Sequence, residues 1–179
     1  TITLQEQLMH KDIPFVRKAL NRDFKAVMMK GRSNYLCLLR LQRARRSGSD
    51  LFDSSKESQL DSIYALASNR QLGDGSLQEL EDQPDHQVWG AICAEHGNCT
   101  GKRCAFYKEC YFMNARQDMM DAQVLVVNHS LFFAELALRA EGAAMLPPYG
   151  YVVFDEAHQM EQVASSHLGI RLSLYMLEY

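Results

Sequence analysis

Several absences narrow the class of protein that this sequence encodes. No apolar run approaches the roughly 18 residues of a membrane span, and the first residues lack the pattern of a secretory signal peptide. The net charge is −3, so the overall charge does not argue for a nucleic-acid partner, and any such case depends on local clusters. Internal repeats and low-complexity stretches are also absent. These absences indicate a globular, cytoplasmic protein with no membrane partner.

The cysteines lack the spacing of a disulfide framework or of a common zinc site. Five is an odd number in a chain without a secretion signal, which favours reduced thiols or metal ligands. The spacing is Cys93-x5-Cys99-x4-Cys104-x5-Cys110, with Cys37 far upstream. Structural zinc sites prefer Cys-x2–4-Cys pairs, so zinc is not favoured, and four wider-spaced thiolates suit an iron–sulfur cluster better. Buried free thiols, or a redox pair of Cys93 and Cys99, are the open alternatives.

The sequence also lacks a phosphate-binding loop of the Walker A type. Residues 97–103, Gly-Asn-Cys-Thr-Gly-Lys-Arg, resemble one at first sight. Their glycines are one residue too close together, and Arg103 stands where a serine or threonine would meet Mg²⁺. This segment therefore does not indicate a nucleotide site.

The stretch around residue 155 carries the strongest chemical signal. Four apolar residues, 151–154, follow a loop with proline and glycine and lead into Asp155, Glu156, Ala157 and His158. Such a run predicts a buried strand of a parallel sheet, and ligands of these sheets bind at the carboxyl ends of strands. At that end one carboxylate can hold Mg²⁺ while its neighbour orients a water for phosphoryl transfer. The alternative is that the two acids cap the next helix.

The rest of the chain alternates short strands with helices, which is typical of an α/β fold. The periodicity predicts strands over residues 24–29 and 122–128, and helices over residues 1–20, 38–46, 58–72, 128–140 and 159–167. Between about residues 38 and 118 the pattern becomes helical and cysteine-bearing, which indicates an insertion. Residues 24–49 contain no acid. This basic segment is either a solvated helix face or a surface that follows a phosphate backbone.

Together these segments resemble the XPD-like iron–sulfur DNA helicases of superfamily 2, especially the bacterial DinG/YoaA branch. Asp-Glu-Ala-His at 155–158 matches motif II, the DEAH box, and Lys-Gly-Arg-Ser-Asn-Tyr-Leu-Cys at 30–37 is similar to the segment that delivers the first cluster ligand. Residues 3–8 look like motif Ia, and residues 128–131 resemble the return to the motor domain. The other matches, in spacing, are Cys99, Cys104 and Cys110. The resemblance spans nearly the whole chain.

The resemblance implies a fold and a domain arrangement. Residues 1–37 and 119–179 would form part of a RecA-like motor domain with a parallel sheet. Residues 38–118 would form an inserted, mainly helical iron–sulfur cluster domain. Motif I and the second motor domain do not occur in these residues, so the chain is expected to be a helicase fragment that cannot hydrolyse ATP alone.

The resemblance also implies an activity and the residues that perform it. The family couples Mg-ATP hydrolysis to 5′→3′ movement on single-stranded DNA and opens forked or other non-duplex DNA, which fits repair or replication. Asp155 would coordinate the Mg²⁺ of Mg-ATP, and Glu156 would polarise the attacking water. His158 would couple the nucleotide state to DNA movement. A zinc-stapled DNA- or protein-binding module without ATPase activity is the alternative.

A metal centre and a DNA contact follow from the same resemblance. The ligands of a [4Fe-4S] cluster would be Cys37, Cys99, Cys104 and Cys110, which leaves Cys93 spare. The basic segment would lie along the DNA strand. The residues expected to contact DNA there are Lys30, Arg32, Asn34, Tyr35 and Arg40.

Overall fold

The chain has a mixed α/β structure in which helices outnumber a small parallel sheet. The structure, a computed structural model, describes residues 2–47 and 52–169. Within them, one unit is built from the chain up to Met29 and from Met119 onward, and a second unit is Lys30–Asp118. The assignment of these units to a motor domain and its cluster insertion stays a prediction. No helix in the described residues is long and apolar enough to cross a membrane.

The first unit begins with a nearly continuous helical run. Helices α1 (Ile2–Gln7) and α2 (Ile13–Leu20) are joined by a π-helical segment, Leu8–Asp12. Proline in the first turn of α2 is tolerated because the first amides of a helix have no intrahelical partner. Asn21 ends α2 in the left-handed conformation, with a φ of 47°. The predicted helix over residues 1–20 is therefore confirmed from residue 2 onward, with a π-helical segment inside it, and residue 1 lies outside the described residues.

The sheet of the first unit consists of two parallel strands. β1 (Ala26–Met29) pairs with β2 (Val124–Val127), with Ala26 opposite Val124. Both predicted strands are confirmed in position. Val124 is exposed, because β2 has one paired neighbour in the described chain. A parallel strand becomes fully buried when neighbours and covering helices enclose it.

Residues 151–154 do not form the predicted buried strand. They are irregular, and the side chains of Tyr151 and Val153 are 96% and 93% exposed. A strand needs a neighbouring backbone for its hydrogen bonds, and in the described residues β1 and β2 pair with each other alone. The four residues favour a strand, but no neighbouring strand in the described residues pairs with them. The two acids that follow consequently do not lie at a strand tip, and that prediction is wrong.

The segment is attached to the first unit through Phe154. Its ring packs edge-on against Phe132 and stacked on Phe133, with centroids 5.1 and 6.4 Å away. Both phenylalanines lie on α7 (His129–Ala140), which packs against α8 (Met160–Leu168). These two helices confirm the predictions over 128–140 and 159–167. The apolar run is thus held by ring contacts of a single residue, Phe154, in place of a sheet.

The second unit is mainly helical and encloses its own core. Its helices are α3 (Leu38–Arg46), α4 (Ser54–Ser68), α5 (His86–Ile92) and most of α6 (Tyr111–Met120). Short 3-10 turns at Leu77–Glu79, Gly101–Arg103 and Tyr107–Glu109 connect them. The buried core is formed by Leu36, Leu41, Ala44, Leu60, Ile63, Leu72, Leu80, Val88 and Ile92. The helix predicted over 38–46 is confirmed.

The helix predicted over 58–72 is confirmed but lies four residues earlier, at Ser54–Ser68. Its start is fixed by Asp53, whose Oδ1 accepts a hydrogen bond from the amide of Lys56 at 3.0 Å. Its end is fixed by Arg70, which adopts a left-handed conformation with a φ of 55°. The apolar periodicity therefore predicted that a helix forms here, whereas the residues at its two ends determine where it starts and stops.

Candidate functional site

The Asp-Glu-Ala-His sequence lies at the start of a helical segment and is open to solvent. Asp155, Glu156 and His158 are all exposed, and a 3-10 turn at Ala157–Gln159 leads into α8. Asp155 Oδ1 accepts a hydrogen bond from the Glu156 amide at 2.9 Å. Glu156 Oε2 is 3.3 Å from His158 Nδ1. The structure therefore brings Glu156 and His158 together and leaves both carboxylates accessible.

The backbone of Glu156 is unusual for a residue with a side chain. Its φ is 50°, in the left-handed region that few non-glycine residues adopt. Such conformations are found disproportionately at active sites and ligand clamps. The conformation at Glu156 turns the chain from the irregular run 151–154 into the helical segment.

Neither acid caps the helix that follows by a hydrogen bond. Glu156 precedes the 3-10 turn and Gln159 precedes α8, and neither side chain accepts from a helix amide. The alternative of a hydrogen-bonded helix cap is therefore wrong, although a helix start still favours nearby negative charge. Exposed carboxylate oxygens are the ligands that Mg²⁺ prefers, so the chemistry of this pair fits the predicted ion.

Two of the predicted cluster ligands occupy equivalent places in the second unit. Cys37 directly precedes α3, and its carbonyl accepts from Leu41 N at 2.9 Å. Cys110 directly precedes α6, and its carbonyl accepts from Asn114 N at 2.9 Å. Both predicted ligands therefore sit directly before the first turn of a helix.

Three of the predicted ligands lie close enough to interact electrostatically. Burial raises the pKa of the Cys110 thiol, the Met113 amide lowers it, and negative charge on Cys37 and Cys99 raises it further. All five cysteines are reduced. Within the described residues, no group of three His, Cys, Asp or Glu side chains is gathered so that it could hold a metal ion. The thiols have the chemistry of cluster ligands, and Cys37 and Cys99 each act electrostatically on Cys110, but the described structure does not gather three of them at one point.

Cys93 differs from these thiols in its surroundings. It is buried, its Sγ donates to the Gly90 carbonyl at 3.8 Å, and burial raises its pKa. Its backbone forms an antiparallel bridge with Leu36 of the core. Cys99, the partner in the redox alternative, is exposed. Cys93 therefore behaves as a packed, neutral thiol.

Two of the residues expected to contact DNA are buried inside the second unit. Lys30 is 2% exposed, and its Nζ donates to Ser76 Oγ at 2.6 Å and to Asp74 Oδ2 at 3.1 Å. The Tyr35 hydroxyl accepts from the Lys30 amide at 3.2 Å, and burial raises the pKa of Tyr35 to about 12. The Tyr35 ring packs edge-on against Phe112. These contacts anchor the segment that carries Cys37.

The other three residues also have intramolecular partners. The Arg40 guanidinium donates to the carbonyls of Gly90 and Ala91 and to Glu95 Oε2, which fixes the end of α5. The Arg32 guanidinium lies 4.3 Å from the centroid of the Phe112 ring. Asn34 Nδ2 donates to the carbonyl of Gly31 at 3.1 Å. The five residues thus share one region, and their contact with DNA stays a prediction.

The sequence did not reveal the partners of this region. The Lys30 ammonium group donates hydrogen bonds to Asp74 and Ser76, which lie 44 and 46 residues further along the chain. The Arg32 guanidinium lies over the ring of Phe112. The signal that the sequence offers here is an acid between two glycines, Gly73 and Gly75, which is typical of a turn. Both glycines have positive φ, as a tight turn requires.

The chain is similar to several bacterial proteins that are named as ATP-dependent DNA helicases. The chain is 38% identical over 172 residues to the ATP-dependent DNA helicase YoaA of Escherichia coli K12, covering 95% of this chain and 27% of that protein. It is 36% identical over 173 residues to YoaA of Haemophilus influenzae, covering 95% and 26%. It is 29% identical over 171 residues to the ATP-dependent DNA helicase DinG of Photobacterium profundum, covering 92% and 25%.

These relatives confirm the resemblance to the DinG/YoaA branch of DNA helicases that the motifs predicted. The chain spans about a quarter of the length of the curated relatives it matches. No protein-family model matches the chain.

Proposed function

We propose that this chain is a segment of an ATP-dependent 5′→3′ DNA helicase of the DinG/YoaA type, acting in DNA repair or replication. The observation that carries the proposal is the alignment of 95% of the chain with proteins named as ATP-dependent DNA helicases. The segment would contribute part of the first motor domain and the cluster-bearing insertion. Its partners would be ATP and single-stranded or forked DNA.

The acids at the start of the last helical segment would serve ATP hydrolysis. Asp155 would bind the Mg²⁺ of Mg-ATP, and Glu156 would orient the attacking water and accept its proton. His158, 3.3 Å from Glu156, would hold that carboxylate and respond to the state of the nucleotide. The exposure of both carboxylates supports these roles because each remains accessible to a ligand.

Cys37, Cys99, Cys104 and Cys110 would hold a [4Fe-4S] cluster in the second unit. Such a group, when bound, supplies a rigid inorganic crosslink between distant parts of the chain. The start of α3 and the start of α6 each present a cysteine, Cys37 and Cys110. The segment anchored by Lys30 and Tyr35 keeps Cys37 in place. Its residues Arg32 and Arg40 would face DNA along the basic segment.

The proposed activity is tested in the full-length protein by single-atom changes in the acid pair. Glu156→Gln should reduce DNA-stimulated ATP hydrolysis by at least about a hundredfold, because the water loses its base. Glu161→Gln is the matched control, since Glu161 is an exposed acid on α8. Equal activity of the two variants would contradict the role of Glu156.

The fragment itself provides a second test. The 179-residue chain is expected to show no Mg-ATPase activity, because no Walker A loop occurs in its sequence. Measurable hydrolysis by the purified chain, abolished by Asp155→Asn, would contradict the proposal that it is one part of a divided site.

A further inference from the structure

The segments that carry Cys37 and Cys110 meet at one glycine of the second unit, Gly75. Leu36, the residue before Cys37, donates its amide to the Gly75 carbonyl at 2.9 Å. Tyr111, the residue after Cys110, has its ring beside the Gly75 Cα. Two predicted cluster ligands that are far apart in sequence are therefore each next to a residue that contacts the same glycine.

The contact with Tyr111 requires a residue without a side chain at position 75. A Cβ there would overlap the Tyr111 ring at Cγ and Cδ1. Because Cγ is the ring atom bonded to the tyrosine Cβ, relief of the overlap needs rotation of the whole ring or movement of the start of α6. The φ of Gly75 is 71°, which also favours glycine. Backbone conformation and ring contact are thus two separate demands on this residue.

The turn that contains Gly75 is fixed to the segment before Cys37. Ser76 is buried, accepts from Lys30 Nζ at 2.6 Å and forms an antiparallel bridge with Tyr35. Asp74 accepts from the same Nζ at 3.1 Å and, through Oδ1, from the Ser76 amide at 2.8 Å. Both neighbours of Gly75 are therefore held in place. An added side chain would consequently displace the ring of α6 more easily than the turn.

A second contact joins the same two segments. The Tyr35 ring packs edge-on against Phe112, with the ring centroids 5.8 Å apart. Negative charge on Cys37 raises the pKa of the Cys110 thiol, so the two thiols lie within electrostatic range of each other. The starts of α3 and α6 are thus neighbours across the turn.

We propose that Gly75 is a positioning residue that sets the distance between Cys37 and Cys110. Its missing Cβ lets the start of α6 approach the turn to which the segment before Cys37 is bonded. The proposal rests on the proposed function for the identity of the two thiols as cluster ligands. The contacts that carry it exist in the chain without a metal.

The first experiment measures how closely the two thiols are held in the metal-free 179-residue chain that carries Cys93→Ser, Cys99→Ser and Cys104→Ser. Equilibration with glutathione gives the effective concentration of one thiol for the other. In this exchange, glutathione disulfide takes two electrons and two protons from the thiol pair and becomes two molecules of reduced glutathione. The value falls as the two thiols move apart, because a disulfide tolerates a narrow range of distances.

Gly75→Ala should lower this effective concentration about tenfold, because the displaced ring moves the start of α6. Gly142→Ala is the matched control for backbone strain. Gly142 has a φ of 81°, lies in the first unit, and has open space where a Cβ would be. Its substitution should change the value less than about twofold, since nothing is displaced.

The ring determines whether the added methyl group has an effect. Tyr111→Ala alone should lower the effective concentration about threefold, because α6 loses its contact with the turn, and Tyr111→Phe should leave it unchanged. Adding Gly75→Ala to Tyr111→Ala should change it less than about twofold further, because no ring is left to displace. The backbone strain is the same with and without the ring, so this cycle isolates the contact.

Three results would overturn the proposal. An unchanged value in Gly75→Ala would mean that the ring turns aside into the cavity that Tyr111 lines and leaves Cys110 in place. Equal losses from Gly75→Ala with and without the ring would assign the loss to backbone strain. If circular dichroism shows that Gly75→Ala does not fold, a wild-type value in Tyr111→Ala would contradict the role of the contact.

The second experiment follows the metal. The chain with all five cysteines is reconstituted anaerobically with ferrous iron and sulfide, and the loss of visible absorbance is timed after addition of a chelator. Gly75→Ala should lose the absorbance about tenfold faster than the wild type, and Gly142→Ala within about twofold of it. Circular dichroism at the same temperature shows that each chain is folded. Equal rates in the two glycine variants would contradict a link between Gly75 and the metal.

Failure of this proposal can be told apart from failure of the proposed function. If the wild-type chain takes up no iron, the cluster assignment is wrong, and the glutathione experiment still judges Gly75. A wild-type effective concentration no higher than that of the urea-unfolded chain would show that the thiols are not held together, which sinks the proposal. If iron is taken up and neither experiment separates Gly75→Ala from Gly142→Ala, the positioning role is wrong while the cluster assignment stands.

Discussion

The core of the second unit and the segment at 151–169 of the first unit have similar sequence signals and opposite environments. In the core, Leu36, Val88 and Ile92 are at most 1% exposed. In the segment, Tyr151 and Val153 are almost fully exposed despite an unbroken apolar run. The core residues meet one another across helices of their own unit, whereas the run at 151–154 has no strand partner in the described chain. An apolar pattern thus indicates which side chains favour burial. Whether they are buried depends on another element that packs against them.

The charged motif residues of the two regions differ in the same way. Lys30 is buried and paired with Asp74 and Ser76, so it stabilises the unit that contains it. Asp155 and Glu156 are exposed and make contacts only with immediate neighbours in the described structure. Buried motif residues therefore build the scaffold, and exposed ones remain accessible to ligands.

The largest expected contrast is between two identical leucine truncations. Leu36→Ala should lower the free energy of unfolding by about 2–5 kcal/mol, because it leaves a cavity in the core. Leu168→Ala removes the same atoms from a side chain that is 52% exposed and should cost under about 0.5 kcal/mol. Urea denaturation followed by circular dichroism measures both. Equal losses would show that the segment at 151–169 is packed as tightly as the core.

High pH should destabilise the core of the second unit through Tyr35. Its pKa is raised by burial to about 12, above the usual value of 10.0, so the folded chain keeps the proton that the unfolded chain loses. The stability is intact below pH 10 and is lost as the pH rises towards 12, by about 2–3 kcal/mol. Tyr35→Phe should lack this part of the decline. Parallel pH profiles of the two proteins between pH 9 and 12 would contradict the assignment.

A buried carboxylate in the first unit should contribute somewhat less. Glu135 is fully buried. Its carboxylate accepts hydrogen bonds from Arg139 Nε at 2.6 Å and from the Met145 amide at 2.7 Å, which connects the loop after α7 to that helix. Glu135→Gln should cost about 1–3 kcal/mol, since it weakens a charge-assisted hydrogen bond. Glu141→Gln, at the exposed end of α7, should cost under about 0.5 kcal/mol. Thermal unfolding of both variants measures these losses. A smaller loss of stability in Glu135→Gln than in Glu141→Gln would contradict the role of Glu135.

The smallest effect concerns helix starts. Asn128 Oδ1 accepts from the Leu131 amide at 2.7 Å and caps α7, whereas Gln159 makes no such bond at α8. Asn128→Ala should cost about 1 kcal/mol and Asn128→Ser a few tenths, while Gln159→Ala should be nearly neutral. Chemical denaturation of the three variants tests the order. A larger loss of stability in Gln159→Ala than in Asn128→Ala would contradict the assignment of the cap to Asn128.

Local chemistry was predictable from the sequence, and long-range pairing was not. The helices over 38–46 and 128–140 follow from apolar periodicity and from the Asn128 cap, and β1 follows from its apolar residues. The strand at 151–154 failed because strand formation depends on a neighbour, and residues within the run carry no information about it. The acid pair was therefore found by its motif, and its expected strand-tip geometry was not.

The site residues show the same division. Cys37 was predicted as a ligand from the motif at 30–37 and Cys110 from its spacing. Their shared position at helix starts depends on where α3 and α6 begin, which neither signal gives. The resemblance implies a DNA contact for Lys30, and that stays a prediction. The sequence did not show that Lys30 is buried against Asp74, 44 residues away. The sequence around Arg70 did not reveal that this residue adopts a left-handed backbone, with a φ of 55°, just after the end of α4.

The central claim is a helicase segment whose second unit holds an iron–sulfur cluster, and metal analysis of the anaerobically purified chain tests it most directly. The account predicts visible absorbance with about four iron atoms and four labile sulfides per chain. Cys99→Ser should lose this absorbance and Cys93→Ser should retain it. Zinc in place of iron, or reversible disulfide formation between Cys93 and Cys99 without metal, would contradict the claim.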